Sequence, residues 1–246
     1  MLDHINLENL IFIDIETVPG HPQFTSLPDE LKELYLRKSE RLKQEAETHE
    51  EQYFNHAGIY DEFGKVICIS IGVMKREREK DTYQLRIKSF YGDDEKQLLK
   101  EFCDLLNQHY NKYEKYQFCG HNVREFDVPF LCRRLLINEL SLPVLLDISG
   151  RKPYELNMVD TLYLWRFGDY KHYTSLKLLA LIFGIPSPKE DIEGKDVAGV
   201  YWKEKNLKRI VEYCQRDVVT VVQLILRFKG SAHLTEERII FVSSVV

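Results

Sequence analysis

Asp14 and Glu16, Asp127, and the pair Tyr213 and Asp217 are the residues of this 246-residue chain whose types and order could do chemistry. Carboxylate oxygens are hard ligands, and magnesium takes only one or two of them while water and substrate oxygens complete its shell. Two acids separated by one residue on a strand leave the same face of a sheet. A tyrosine and an aspartate four apart share one face of a helix. If the fold makes them meet, three distant stretches would supply carboxylates and one phenol to a bound cation.

Each residue also has a plainer role. D-x-E recurs at Asp93/Glu95 and Asp191/Glu193 in a chain with 39 acids, and Asp14/Glu16 is set apart only by the apolar run before it; its plain role is a solvated strand end. Asp127 precedes an apolar helical stretch with Pro129 in its first turn, so an N-cap competes with a ligand role. Ile210, Tyr213, Cys214, Asp217, Val221, Leu224 and Phe228 form one stripe. A carboxylate buried among aliphatics costs on the order of several kcal/mol unless a cation or strong donors meet it. For Asp217 the competing role is therefore a buried salt bridge. Asp160 is the main rival for a site role, but it ends a short apolar strand just before Thr161 and reads as a helix cap. No His/Cys cluster suggests zinc, and His121 and His172 only flank these regions.

The elements that must position these residues can be read from periodicity. Residues 10–15 form a near-continuous apolar run, as in a buried central strand, ending at Val18-Pro19-Gly20. Residues 66–74 and 83–91 read as two further strands around a charged turn at 75–81, and 116–119 and 158–160 as short ones. Helices are expected over 98–110, 128–140, 174–183 (closed by Gly184, with Pro186 beyond) and 206–228. Residues 28–56, with Leu31, Leu34, Tyr35 and Leu42 at helical spacing, read as a charged, solvent-facing helical insertion and the least packed part of the chain. The expected fold is α/β: a mixed sheet flanked by helices, its first three strands an antiparallel meander, in a single domain over 1–229 with a tail at 230–246.

Composition narrows the function classes. A formal net charge of -5 means the whole molecule does not attract polyanions, so a nucleic-acid enzyme would need local basic residues or metal to offset phosphate. Lys171, Lys177, Arg124 and Arg216 are the candidates, each with a solvated default. Five cysteines without C-x-x-C spacing read as reduced residues of a cytoplasmic protein, and no apolar stretch is long enough to span a membrane.

Three motifs carry a resemblance: Asp14-Ile15-Glu16-Thr17, Asn122-Val123-Arg124-Glu125-Phe126-Asp127 and Tyr213-Cys214-Gln215-Arg216-Asp217. In this order they resemble those of the DEDDy 3′–5′ exonucleases of the DnaQ-like, ribonuclease H-like superfamily. The second is similar to the proofreading domains of family-B DNA polymerases. Residues 8–228, including Glu62-Phe63-Gly64-Lys65-Val66, resemble stand-alone bacterial exonucleases related to that domain. The insertion at 28–56 departs from the pattern and could cover the substrate groove.

The resemblance implies a ribonuclease H-like sheet with the site at the end of the first strand. It implies two divalent cations, Mg2+ or Mn2+, held by Asp14, Glu16, Asp127 and Asp217, with Tyr213 orienting the attacking water or assisting its deprotonation. Thr17, Asn122 and Phe126 would touch the terminal nucleotide, and the Gly120-His121-Asn122 turn would let backbone approach it. The expected substrate is the 3′ end of a nucleic acid, DNA ahead of RNA and single-stranded, cut to nucleoside monophosphates. An exoribonuclease and an inactive nucleic-acid-binding or polymerase-associated module are the alternatives. Any polymerase or repair partner would act in trans.

Overall fold

The computed structural model describes residues 2–40, 47–77, 82–169, 171–185 and 192–242. Its six strands are β1 (Leu10–Pro19), β2 (Gly64–Glu77), β3 (Thr82–Tyr91), β4 (Gln117–Gly120), β5 (Met158–Asp160) and β6 (Ile239–Val242). They make one mixed sheet in the order β5-β4-β1-β2-β3-β6. β1, β2 and β3 pair as the expected antiparallel meander, whereas β4, β5 and β6 join in parallel to β1, β4 and β3 respectively. The β2–β3 ladder runs out to Glu77 and Thr82; residues 78–81 of the expected turn lie outside the described residues.

Eight α-helices accompany the sheet among the described residues: α1 (Asp29–Ser39), α2 (His49–His56), α3 (Glu95–His109), α4 (Asp127–Ile137), α5 (Thr161–Arg166), α6 (Leu176–Ile182), α7 (Val197–Trp202) and α8 (Leu207–Phe228). α3 and α4 cover one face of the sheet, packing Leu98, Phe102 and Leu131 with Ile11, Ile13 and Ile15. α8 covers the other, packing Val218, Val222 and Ile225 with Leu10 and Phe12. This double cover is why β1 reads as apolar at nearly every position. By the two-residue period, Asp14 and Glu16 continue the Leu10/Phe12 face and point toward α8.

Local chemistry sets the helix ends. The Asn206 side chain accepts from Arg209 N at the start of α8, and Ser175 does the same for Leu178 N at the start of α6. Gly184 beyond α6 adopts φ +61°, as a helix-terminating glycine does; Pro186 lies outside the described residues.

The insertion is better packed than its composition suggests. Residues 41–46, Leu42 among them, lie outside the described residues. On α1 and α2, Tyr35 and Tyr53 are fully buried with Leu27, Ala57 and Phe63, their rings edge-on at 5.1 Å. Both phenols have partners: Tyr35 Oη donates to the Gln52 carbonyl at 2.8 Å, and Tyr53 Oη accepts from His21 N at 3.2 Å. Leu31 and Leu34 remain exposed. The chain leaving the insertion is tied to α4, where Arg133 pairs with Asp61 at 2.6 Å and Arg134 donates to the Asp61 carbonyl. The expectation of a loosely packed insertion is thus corrected: tyrosines supply a core where aliphatics are few.

The chain past Gly230 adds β6 at the sheet edge beside β3. All five cysteines are unpaired thiols. No described helix is long and apolar enough to cross a membrane.

At one point the sheet and α8 approach through the absence of a side chain. A Cβ on Gly72 would lie 2.8 Å from Val218 Cγ1 and 3.1 Å from Leu85 Cδ1. Gly72→Val is therefore expected to lift α8 from β2 and to lower unfolding stability by about 1–3 kcal/mol, the usual cost of overpacking. Urea denaturation measures this, and an unchanged midpoint would show that α8 does not need the contact.

Candidate active site

All eight residues expected at the site line one hollow of about 400 Å³: Asp14, Glu16, Asp127, Tyr213 and Asp217, with Thr17, Asn122 and Phe126. A second hollow of about 400 Å³ adjoins it and shares Asp14, Tyr213 and Asp217. Asp14 and Glu16 lie midway along β1, two residues apart on the α8 side and past Phe12, where the pairing with β4 has ended. A register shift between Glu16 and Thr17 in the β1–β2 ladder marks this point; such bulges re-aim strands beside sites.

Asp127 is not the helix cap that its position suggests. It is the first residue of α4, Phe126 holds the cap position without a side-chain bond, and Asp127 Oδ1 accepts from Ile15 N at 3.2 Å. The carboxylate thus reaches from α4 to the strand that carries Asp14 and Glu16. Asp217 also differs from expectation. Ile210, Cys214, Val221 and Leu224 of its stripe are buried, but Asp217 and Tyr213 are only half-buried. There β4 no longer pairs with β1, and these two side chains line the hollow beside that strand. Tyr213 hydrogen-bonds the Asp217 carboxylate.

Asp160, the rival acid, does cap α5, accepting from Leu162 N and Tyr163 N. It also accepts from Asn122 N and Arg124 N at 3.0 and 3.1 Å, so it braces the turn before Asp127. Asn122 adopts φ +66°, a left-handed conformation that asparagine tolerates better than most residues. His121 and Asn122 of the Gly120 turn line the hollow, and Gly120 itself packs inward. A Cβ on Gly120 would meet the Ile13 carbonyl and Val123 at 2.9 Å, so glycine serves close packing of β4 on β1.

The acids are held in a way that disfavours their own charge. Burial, then Asp217 and Asp127, pushes Asp14 well above the ordinary carboxylate range. Burial, then Asp14 and Asp217, does the same to Glu16. Asp127 is raised to about 7 by burial, against the backbone donors that stabilise its charge. Tyr213 is raised by burial and then by Asp217, so its phenol keeps its proton.

Asp14 Oδ2 is shielded from solvent with no hydrogen-bond partner among the described residues. A buried acceptor of this kind is costly unless a proton or cation meets it. The ligand atoms of Asp14, Glu16 and Cys214 lie within 4.8 Å of one another. Burial holds the Cys214 thiol up, and its Sγ donates to the Asp14 carbonyl at 3.3 Å. What remains is an all-carboxylate donor set, which fits a hard divalent cation.

The candidate phosphate contacts fare unevenly. Arg124 is engaged with the Met158 carbonyl and the Tyr163 ring, Lys177 pairs with Glu193, and Lys171 and Arg216 line neither hollow. Lys195, Phe54, Ile59, His121 and Tyr173 line the main hollow without having been singled out for contact with substrate. His121 Nε2 bonds the Thr174 carbonyl at 2.9 Å, and burial lowers its pKa, so it stands as a neutral prop beside Tyr173. For Phe54 and Ile59 the available signal was the insertion itself, placed between an acidic pair and the next strand.

Comparison with known proteins gives the family and a fold neighbour. A family model described as a predicted 3′-5′ exonuclease related to the exonuclease domain of PolB matches residues 59–242. That stretch contains Asp127, Tyr213 and Asp217 and begins after Asp14 and Glu16, which the fold returns to them. Among solved structures, the family B DNA polymerase from the hyperthermophilic archaeon Pyrobaculum calidifontis is similar in fold, with a TM-score of 0.51 at 15% identity over 89% of this chain and 24% of the polymerase. This chain therefore corresponds to about a quarter of that polymerase's length. No curated protein matches. With three quarters of its length matched, and a mixed sheet of the same kind behind the site, the chain belongs to the family of predicted 3′–5′ exonucleases related to the exonuclease domain of PolB.

Proposed function

We propose that this protein is a metal-dependent 3′–5′ exonuclease that hydrolyses the last phosphodiester bond of a DNA strand and releases a nucleoside 5′-monophosphate. The observation that carries the reading is the convergence of four carboxylates on one hollow, with Asp14 Oδ2 shielded and unpartnered among the described residues. DNA stands ahead of RNA because the family is related to a DNA polymerase's exonuclease domain.

Asp14, Glu16, Asp127 and Asp217 would hold two Mg2+ or Mn2+ ions. Bound there, divalent cations offset phosphate charge, acidify a water and stabilise the departing oxygen. The water oxygen forms the new bond to phosphorus, the bond to the preceding 3′ oxygen breaks, and that oxygen leaves as a hydroxyl. Tyr213 would orient the attacking water or assist its deprotonation from its place in the same hollow. Thr17, Asn122 and Phe126 line the hollow where the terminal nucleotide would lie. A proofreading role would require a polymerase or repair enzyme to act beside it.

Incubation of 5′-labelled single-stranded DNA, duplex DNA and RNA with Mg2+, Mn2+ or chelator tests the reading. A ladder shortening from the 3′ end is expected, fastest on single-stranded DNA and abolished by chelator; no metal-dependent shortening of any substrate would refute it. Asp14→Asn is expected to lower turnover by about 10²-fold or more, in line with the loss of a main electrostatic element. Tyr213→Phe should cost about 10- to 100-fold, the range for a group that orients another, with metal affinity retained. Unchanged turnover would remove Tyr213 from the mechanism.

A thermal measurement separates the metal site from activity. A carboxylate whose pKa is higher folded than unfolded destabilises the fold above that pKa, and the penalty fades as pH falls toward the unfolded value. In chelator at about pH 8, Asp14→Asn should therefore be more stable than wild type by about 0.5–2 kcal/mol. The gap should narrow as pH falls toward the ordinary carboxylate range and the raised Asp14 carboxyl takes up its proton. Mn2+ should raise the melting temperature of wild type and much less that of the variant; equal shifts would place the ion elsewhere.

A further inference from the structure

The two hollows beside the acids differ in what closes them, and the inference drawn here rests on the exonuclease reading. The one lined by Glu16 and Asp127 is walled by the insertion, through Phe54 and Asn55 of α2 and Gly58 and Ile59 of the turn after it. The other has no insertion residue and is lined by Ser175, Lys177, Glu193 and Thr220. We propose that the insertion is a stop for the 3′ end: the terminal nucleotide lies against Phe54 and Ile59, and the strand leaves through the second hollow.

The wall is anchored on three sides. The Thr17 hydroxyl donates to the Gly58 carbonyl at 2.7 Å, tying the turn to β1 one residue past Glu16. The Lys203 ammonium lies 4.4 Å from the centre of the Phe54 ring, linking α2 to the connection between α7 and α8. Glu50 of α2 accepts from Phe24 N at 2.8 Å, and the Tyr35–Tyr53 pair stands behind.

The wall's chemistry suits a base. Ile59 is 51% exposed, an aliphatic side chain presented to a hollow whose floor is acidic. Phe54 and Phe126 add half-buried rings to the same lining. Nucleobases pack on such surfaces with little regard to sequence, whereas phosphates do not. A volume of about 400 Å³ is near the lower end of the roughly 300–1,000 Å³ of small-ligand sites, enough for one nucleotide and not for a strand running through. With Phe54, Asn55, Gly58 and Ile59 standing across one side of the hollow, a polymer that enters from the other side would bring its own end to that wall. The scissile phosphate then falls where the hollows share Asp14 and Asp217. The wall would thus require a free, unpaired 3′ end and set the released length at one nucleotide.

The test compares wild type, Phe54→Ala/Ile59→Ala and Leu34→Ala, the last altering an exposed side chain that lines neither hollow. With Mn2+, wild type should release only mononucleotides from linear single strands and leave closed single-stranded circles intact. The double variant should also release dinucleotides and longer pieces and nick circles at least about 10-fold faster. Binding of dTMP in Mn2+ gives a measurement independent of turnover. The double variant should bind about 10-fold more weakly, the scale of one lost stacking contact, and Leu34→Ala should match wild type. Ile59→Ala alone repeats both measurements at an exposed side chain, should the double variant fail to fold. Unaltered product length, or dTMP binding indifferent to Phe54 and Ile59, overturns the stop. A wild type that cleaves nothing yet binds dTMP through these residues supports the wall and rejects the exonuclease reading instead.

Discussion

Carboxylates gathered in one hollow repel each other and lose hydration, and the fold around them is arranged to keep that cost bearable. Asp14 and Glu16 occur just past the point where β4 stops pairing with β1, Asp127 at the first turn of α4, and Asp217 midway along α8. Each lies on a rigid element, yet none is far from the open hollow. Farther along the same elements, Phe12 and Val221 are wholly enclosed, and an acid there would have no access to a cation. The tolerable location is the margin of the core, where backbone precision and access to ions coexist.

Much of this was legible because the chain obeys simple periods. The apolar run before Asp14 announced a doubly covered strand, and the two-residue spacing to Glu16 announced a shared face. The four-residue spacing of Tyr213 and Asp217 announced a shared helical face in the same way. Less legible was anything set by where a neighbouring strand ends. The stripe on α8 suggested a buried Asp217, since periodicity reports the face of a helix but not where a strand of the opposing sheet stops. Asp127 looked like a cap because capping is a local pattern, whereas its bond to Ile15 N joins residues 112 apart. In the insertion, charge masked a core made of tyrosines, whose hydroxyls accept burial when they find backbone partners.

Asp160 shows how the rival acid is kept apart. Its carboxylate oxygens accept four backbone donors, from Asn122, Arg124, Leu162 and Tyr163. A carboxylate so thoroughly hydrogen-bonded is satisfied in place, while Asp14 leaves one oxygen unmet. Asp160 and Asp14 are the same residue type and differ in the number of backbone donors each is offered.

The register shift at Glu16 and Thr17 has a bearing on how this chain can vary. Cys68 pairs with Glu16 and Val66 with Thr17, so Ile67 is the extra residue. Consecutive Ile67 and Cys68 consequently pack into the same cluster beneath α8 with Cys214 and Ile210. Because side chains alternate at every step of a strand, one residue more or fewer at this place would turn the opening of β2 inside out. The loop between β1 and β2 is thus free in length but not in phase. Whatever is spliced there must hand the chain back to Gly64 with the same one-residue offset, or the floor beneath the acids is rebuilt with its apolar side facing out.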